Sequence, residues 1–101
     1  MRISEQKKEK IHEQILALLY SISPQSLFTL NIAKELARDE EFVKSLLLIL
    51  KKKDLVIEIK KNPNGLPYLK RSRWKLSDSA YQAYKKYQNN SHNQEQFRDI
   101  Q

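Results

Sequence analysis

Five cations, Lys60, Lys61, Lys70, Arg71 and Arg73, flank the run "NPNGLPY" (62–68) of this 101-residue chain. Asparagine and proline favour turns, and Gly65, the only glycine, is placed where a positive φ is expected. The run therefore reads as a tight turn with positive charge on both arms. Lysine offers an oxyanion a point charge, and arginine offers it a planar fork of donors. The chemistry open to these residues is anion binding on a projecting loop.

A second group lies in "DEEFVKSLLLILKKKDLV" (39–56). With Val43, Leu46, Leu47 and Leu50 as the buried stripe of a helix, Glu41, Phe42, Lys44, Ser45, Leu48 and Lys52 point away from the core. Lys44, Ser45, Leu48 and Lys52 thus combine two cations, a hydroxyl and an aliphatic on one surface. Asp39 is a candidate N-cap, Glu40 and Glu41 suit the positive end of the helix dipole, and Lys51 to Lys53 suit its negative end.

Catalytic chemistry finds no comparable support. His12 lies in an amphipathic stretch and His92 in a polar tail, neither at metal-ligand spacing, and both are expected at the surface. With no cysteine there is no thiol nucleophile, thiolate zinc site or disulfide, and one glycine cannot build a phosphate-cradling loop. No enzyme activity, cofactor or metal is expected.

The formal charge of +7 is concentrated rather than spread. Between residues 51 and 75 nine basic residues face two acids, Asp54 and Glu58, and the remaining segments balance to zero. Such a balance favours a nucleic-acid partner. The competing readings are a solvated charge run and lysines that guard a sheet edge.

The elements that must position these groups follow from periodicity. Residues 4–22 carry Ile11, Ile15, Leu18, Leu19 and Ile22 at helical spacing, with Ser4 as a cap candidate, and Pro24 ends that helix. "LFT" (27–29) is a stub of strand, and Thr29 is the expected N-cap of a helix in which Ile32, Ala33 and Leu36 share a face. From Leu55 the period is two: Leu55, Ile57 and Ile59 alternate with Val56, Glu58 and Lys60. "YLKRSRWKL" (68–76) is the returning strand, with Tyr68, Lys70, Ser72, Trp74 and Leu76 on one face. Burial of Tyr68 and Trp74 under a final helix outweighs a base-stacking role. That helix begins with Ser77 or Asp78 as its cap and carries Ala80, Ala83, Tyr84 and Tyr87 along one side, with Tyr81 beside them.

The size predicts one domain, residues 1–88, with a mobile polar tail over 89–101. There is no apolar run of about 18 residues, and "MRISEQKKEKIHEQ" lacks the apolar stretch of a secretory signal, so a cytoplasmic location is expected.

In order, the elements are helix, stub strand, helix, helix, strand, basic turn, strand, helix. Over about residues 8–88 this resembles the winged helix-turn-helix family of small bacterial, archaeal and viral transcription regulators. "NIAKEL" looks like its first motif helix, "VKSLLLILKKKDLV" like its recognition helix, and "YLKRSRWKLSDSAYQAY" like its closing strand and helix. Asp54 stands where the family often has glycine, so a left-handed backbone is expected there. The acidic turn "ARDEE" departs from the family's frequent glycine and serine.

The resemblance implies an α+β fold: a three-helix core, a β-hairpin wing and a C-terminal helix. It further implies double-stranded DNA binding, with Lys44, Ser45, Leu48 and Lys52 in the major groove. Lys60, Lys61, Lys70, Arg71 and Arg73 would lie on the backbone or minor groove. A homodimer is implied, with Tyr81, Tyr84 and Tyr87 either in its seam or sealing the monomer. Two alternatives stay open. One is a winged-helix protein-interaction module that docks a partner on the apolar surface of the third helix, and the other is DNA binding in plasmid or viral replication or segregation.

Overall fold

The computed structural model describes residues 5–68 and 71–88. Helix α1 (Glu5–Ile22) is followed by strand β1 (Leu27–Phe28), helices α2 (Thr29–Leu36) and α3 (Glu40–Lys52), and strands β2 (Val56–Ile59) and β3 (Arg73–Leu76). A last helix, α4, runs over 78–88. The three strands form an antiparallel sheet in the order β1-β3-β2. Its register pairs Leu27 with Trp74 on one side and Glu58 with Trp74 on the other.

The helical stripes become the core. Ile11, Ile15 and Leu19 of α1 meet Ile32 and Ala33 of α2 and Val43, Leu46, Leu47 and Leu50 of α3, all buried. From the sheet, Val56, Trp74 and Leu76 close this cluster, and Leu18, Ile22 and Leu36 pack at its margin. In β2 the inward residues are Val56 and Glu58, and Ile57 is left exposed.

Local chemistry sets the joints. Asp39 caps α3, its carboxylate accepting from the Phe42 amide at 3.0 Å. Asp54 ends α3 at φ 60°, the left-handed conformation that aspartate adopts more readily than most residues. Ser77 then serves two elements. Its hydroxyl donates to the Asp54 carbonyl at 2.7 Å and accepts from the Ala80 amide at 3.1 Å, which makes it the cap of α4.

Several expectations are corrected. Thr29 is not the cap of α2: Phe28 holds that position with no side-chain cap, and Thr29 is the buried first helical residue. Its hydroxyl is taken by the Trp74 indole, as described below. Among the described residues, regular pairing of the returning strand covers 73–76, with an isolated bridge between Lys61 and Pro67 nearer the tip. Residues 69 and 70 lie outside the described residues, as do Ser4 and the tail over 89–101. Tyr68 packs on Phe28 beside the hairpin rather than under α4, and Ala83 and Tyr87 are exposed. His12 is half-buried, with Nε2 enclosed and unpartnered.

Candidate functional site

The outward side of α3 and the 56–76 hairpin adjoin, and one carboxylate joins them. Glu58 of β2 accepts from Lys51 Nζ of α3 at 2.8 Å and from the Ser72 hydroxyl at 2.6 Å. Burial alone would raise the Glu58 pKa. Hydrogen bonds from Lys51 and Ser72, with the charges of Lys51 and Lys60, bring it below the ordinary glutamate value. Lys51 is thereby engaged within the fold. Lys52, one residue on, is exposed.

On α3, Lys44 and Ser45 are exposed and Leu48 is 40% exposed, as their helical phase requires. The Ser45 hydroxyl donates to the Phe42 carbonyl one turn back. Phe42 departs from the expected outward orientation: its ring is half-buried against the core, and Ile49, at 39% exposure, is the additional apolar residue on the surface.

The hairpin tip is built by Asn62. Its side-chain oxygen accepts from the amides of Asn64 and Leu66, both at 2.9 Å, and Gly65 takes φ 85°. Lys60 and Lys61 are exposed beside it, and Lys70 lies outside the described residues. Arg71 is exposed, its guanidinium 5.0 Å from the Phe28 ring centre. Arg73 is half-buried over Tyr68.

Lys44 of α3 and Arg71 of the hairpin, assigned to separate elements by sequence, line one open cleft with Phe28, Leu30, Glu40 and Ser72. The cleft carries two cations and one carboxylate, while the Asp39 carboxylate is occupied as a cap. Leu30, 46% exposed at its edge, and Phe28 escaped the sequence reading. Phe28 sits in a two-residue strand too short to show a period, and Leu30 was lost among the aliphatics of α2.

Three tyrosines join the first and last helices. Tyr20 of α1 contacts Tyr81 and Tyr84 of α4 at ring-centre distances of 5.3 and 4.8 Å, so these two rings seal the last helix to the first. Tyr87 remains 67% exposed. Among the described residues no group of acidic, histidine or cysteine side chains is arranged to hold a metal ion, and no helix is long and apolar enough to cross a membrane.

Neither a family model nor a curated protein sequence matches this chain. Solved structures do. The complex of MepR from S. aureus with DNA is similar with a TM-score of 0.72 and 23% identity, over 95% of this chain and 78% of that one. The chain is a winged helix-turn-helix domain. A mutant of ZitR from Lactococcus lactis in apo form has the same winged helix-turn-helix architecture, with a TM-score of 0.61 and 18% identity over 94% of this chain and 70% of that one. A MepR variant from a multidrug-resistant S. aureus clinical isolate aligns at 25% identity and a TM-score of 0.61. That alignment covers 72% of this chain and 50% of the variant, so this chain spans half the length of that relative. In winged-helix terms α2 and α3 stand in the places of the two motif helices, and the β2–β3 hairpin is the wing.

Proposed function

We infer that this winged helix-turn-helix domain binds double-stranded DNA and regulates transcription. The observation that carries this reading is the convergence of Lys44 on α3 and Arg71 on the wing around one cleft, with Lys60 and Lys61 exposed on the same wing. Cations from two elements on one surface match a phosphate backbone that crosses both. The fold shared with a DNA-bound MepR accords with it.

In this reading Lys44, Ser45, Leu48 and Lys52 enter the major groove. Lys44 donates to guanine or phosphate, Ser45 to either, and Leu48 touches a thymine methyl. Lys60, Lys61, Lys70 and Arg71 lie along the backbone or an adjacent minor groove. Action on DNA places the protein inside the cell. A homodimer, with its seam on α1 and α4 around Tyr87, supplies the two half-sites that one small domain needs for specificity. Sedimentation at micromolar concentration tests the dimer, which a strict monomer rules out.

Titration with random duplex DNA across a salt series tests the central reading. Binding should weaken with salt by roughly 0.9 log units per phosphate contact and per log unit of salt. Absence of binding at low salt sinks it. Exposure of Leu48 and Ile49 favours a second reading, in which α3 docks a protein partner and the wing cations serve solubility.

A further inference from the structure

Arg71 and Arg73 are two residues apart, share a charge and flank the same wing, yet their surroundings differ. The Arg71 guanidinium lies against the outer ring of a short stack: Arg71 over Phe28 at 5.0 Å, Phe28 edge-on to Tyr68 at 5.3 Å, and Arg73 over Tyr68 at 5.6 Å. Arg71 caps the exposed end of that stack. Arg73 forms the inner end: its Nη2 donates to the Lys61 carbonyl at 3.4 Å, and its Nε is enclosed with no partner.

Those two contacts place Arg73 between the arms of the wing. Lys61 is the last residue before the Asn62 turn on the outgoing arm, and Tyr68 begins the return, its amide donating to the Lys60 carbonyl at 2.8 Å. Above β3 the described pairing is the Lys61–Pro67 bridge, and at the tip the amides of Asn62, Gly65 and Tyr68 donate to the carbonyls of Leu66, Asn62 and Lys60. A planar cation that covers a ring on one arm and binds a carbonyl on the other holds both at one angle. An arginine meant to reach phosphate would keep its fork in water. This one has its Nε enclosed and its Nη2 turned to the Lys61 carbonyl.

We propose that Arg73 is the positioning residue of the wing: clamped between Tyr68 and the Lys61 carbonyl, it sets where Lys60, Lys61 and Arg71 stand relative to α3, and it does not itself contact DNA. The proposal rests on the DNA-binding reading for the purpose of the wing, but not for the clamp. It divides labour between two arginines that sequence treats alike. Arg71 is the contact residue and Arg73 the strut.

The test uses Arg73→Lys, Arg73→Gln and Tyr68→Leu in the full chain, with Arg73→Lys and Tyr68→Leu also combined. Hydrogen exchange is read in the free protein at the amides of Asn62 and Tyr68, and duplex affinity is read across a salt series. Arg73→Lys keeps the charge but loses the planar fork. It should speed exchange at both amides and weaken duplex binding by about three- to tenfold with the salt slope unchanged. Tyr68→Leu should do the same, and the double variant should be little worse than either single one, as a shared contact requires. Arg73→Gln should likewise leave the slope as it was, whereas Arg71→Gln should lower it by about 0.9. Wild-type exchange in Arg73→Lys overturns the clamp. A slope lowered by Arg73→Gln with wing protection intact overturns it as well and makes Arg73 a contact residue. If the unaltered chain binds no duplex, the DNA reading fails separately, and the exchange measurements still decide the clamp.

Discussion

The indole Nε1 of Trp74 donates to the hydroxyl of Thr29 at 2.8 Å, and Trp74 is 0% exposed. A buried indole N–H without an acceptor would forfeit its hydration with nothing in return, and the hydroxyl that satisfies it comes from the first residue of α2. This contact spans 45 residues and fastens the first motif helix to the central strand. Thr29→Val, nearly the same shape, should lower the unfolding free energy by about 1–3 kcal/mol, and Thr29→Ser by less. Urea denaturation followed by the fluorescence of the single tryptophan checks both. Equal stability of Thr29→Val and the parent would mean that the indole finds another acceptor.

Glu58 gives stability a dependence on pH whose sign can be worked out. Its folded carboxyl lies below the ordinary value of 4.5 because hydrogen bonds from Lys51 and Ser72 outweigh its burial. The folded state therefore binds fewer protons than the unfolded chain around that value. Its contribution is complete above pH 4.5 and is lost as pH falls through the folded value. Glu58→Gln should be less stable than the parent at pH 7, and the difference should shrink on acidification below pH 4.5. Denaturation midpoints of the two proteins between neutral and acid pH measure this. A constant gap would show that the charge of Glu58 contributes nothing.

His12 adds a second dependence of the same sign at higher pH. Burial foremost, and then the charge of Lys53, hold its imidazole below the ordinary value of 6.5, and its Nε2 is enclosed without a partner. The neutral form is favoured in the folded state, so this increment is present above pH 6.5 and disappears as pH falls through the folded value. His12→Leu should be at least as stable as the parent at pH 7 and should lose less stability on acidification just below 6.5. Superimposable pH profiles for the two proteins would count against it.

What the sequence made legible is what a few adjacent residues decide. Asp39, Asp54 and Gly65 each act within four residues of their own position or through their own backbone and stand as expected, and of the two cap candidates Ser77 and Asp78 it is Ser77 that caps α4 from three residues away. The core stripes of α1 and α3 were legible because helical phase alone selects them. Thr29 was misjudged because Trp74, which claims its hydroxyl, is distant in the chain and near in space. Local propensity favours threonine as a cap, and a tertiary demand overrides it. The same limit applies to the site. Charge pattern located the wing, but nothing in "KRSR" separates the exposed Arg71 from the half-buried Arg73, since the Phe28 ring under Arg71 comes from β1 and the carbonyl that Arg73 binds comes from across the turn.

The turn between the motif helices offers a stabilising change. Ala37 ends α2 at φ 54° and ψ 46°, and the next amide, of Arg38, donates to the Ala33 carbonyl at 3.0 Å. Left-handed backbone is strained for alanine and not for glycine, whose greater freedom when unfolded offsets part of the gain. Ala37→Gly should raise the unfolding free energy by about 0.5–1 kcal/mol through relief at the helix end. An unaltered midpoint in urea would mean that the Arg38 bond already compensates the strain.

Lys44, Ser45 and Leu48 decide between the two uses of α3. Lys44 faces the cleft that Arg71 also lines, which favours a phosphate or a base edge, while Leu48 and Ile49 leave aliphatic surface that a protein partner would cover. If α3 reads bases, Lys44→Ala with Ser45→Ala should reduce preference for a selected duplex over random duplex by about tenfold, since one lost base contact is worth about 1–3 kcal/mol of discrimination. Affinity for random duplex should fall less, because the wing cations still hold the backbone. Leu48→Ser separates the alternatives further: in the major groove it weakens only sites with thymine at the contacted position, whereas at a protein interface it changes duplex binding at no site. Selection from a randomised duplex pool with the parent, followed by titration of the variants, reads out both effects. A double variant that keeps affinity and preference unchanged removes α3 from base readout and leaves DNA binding to the wing.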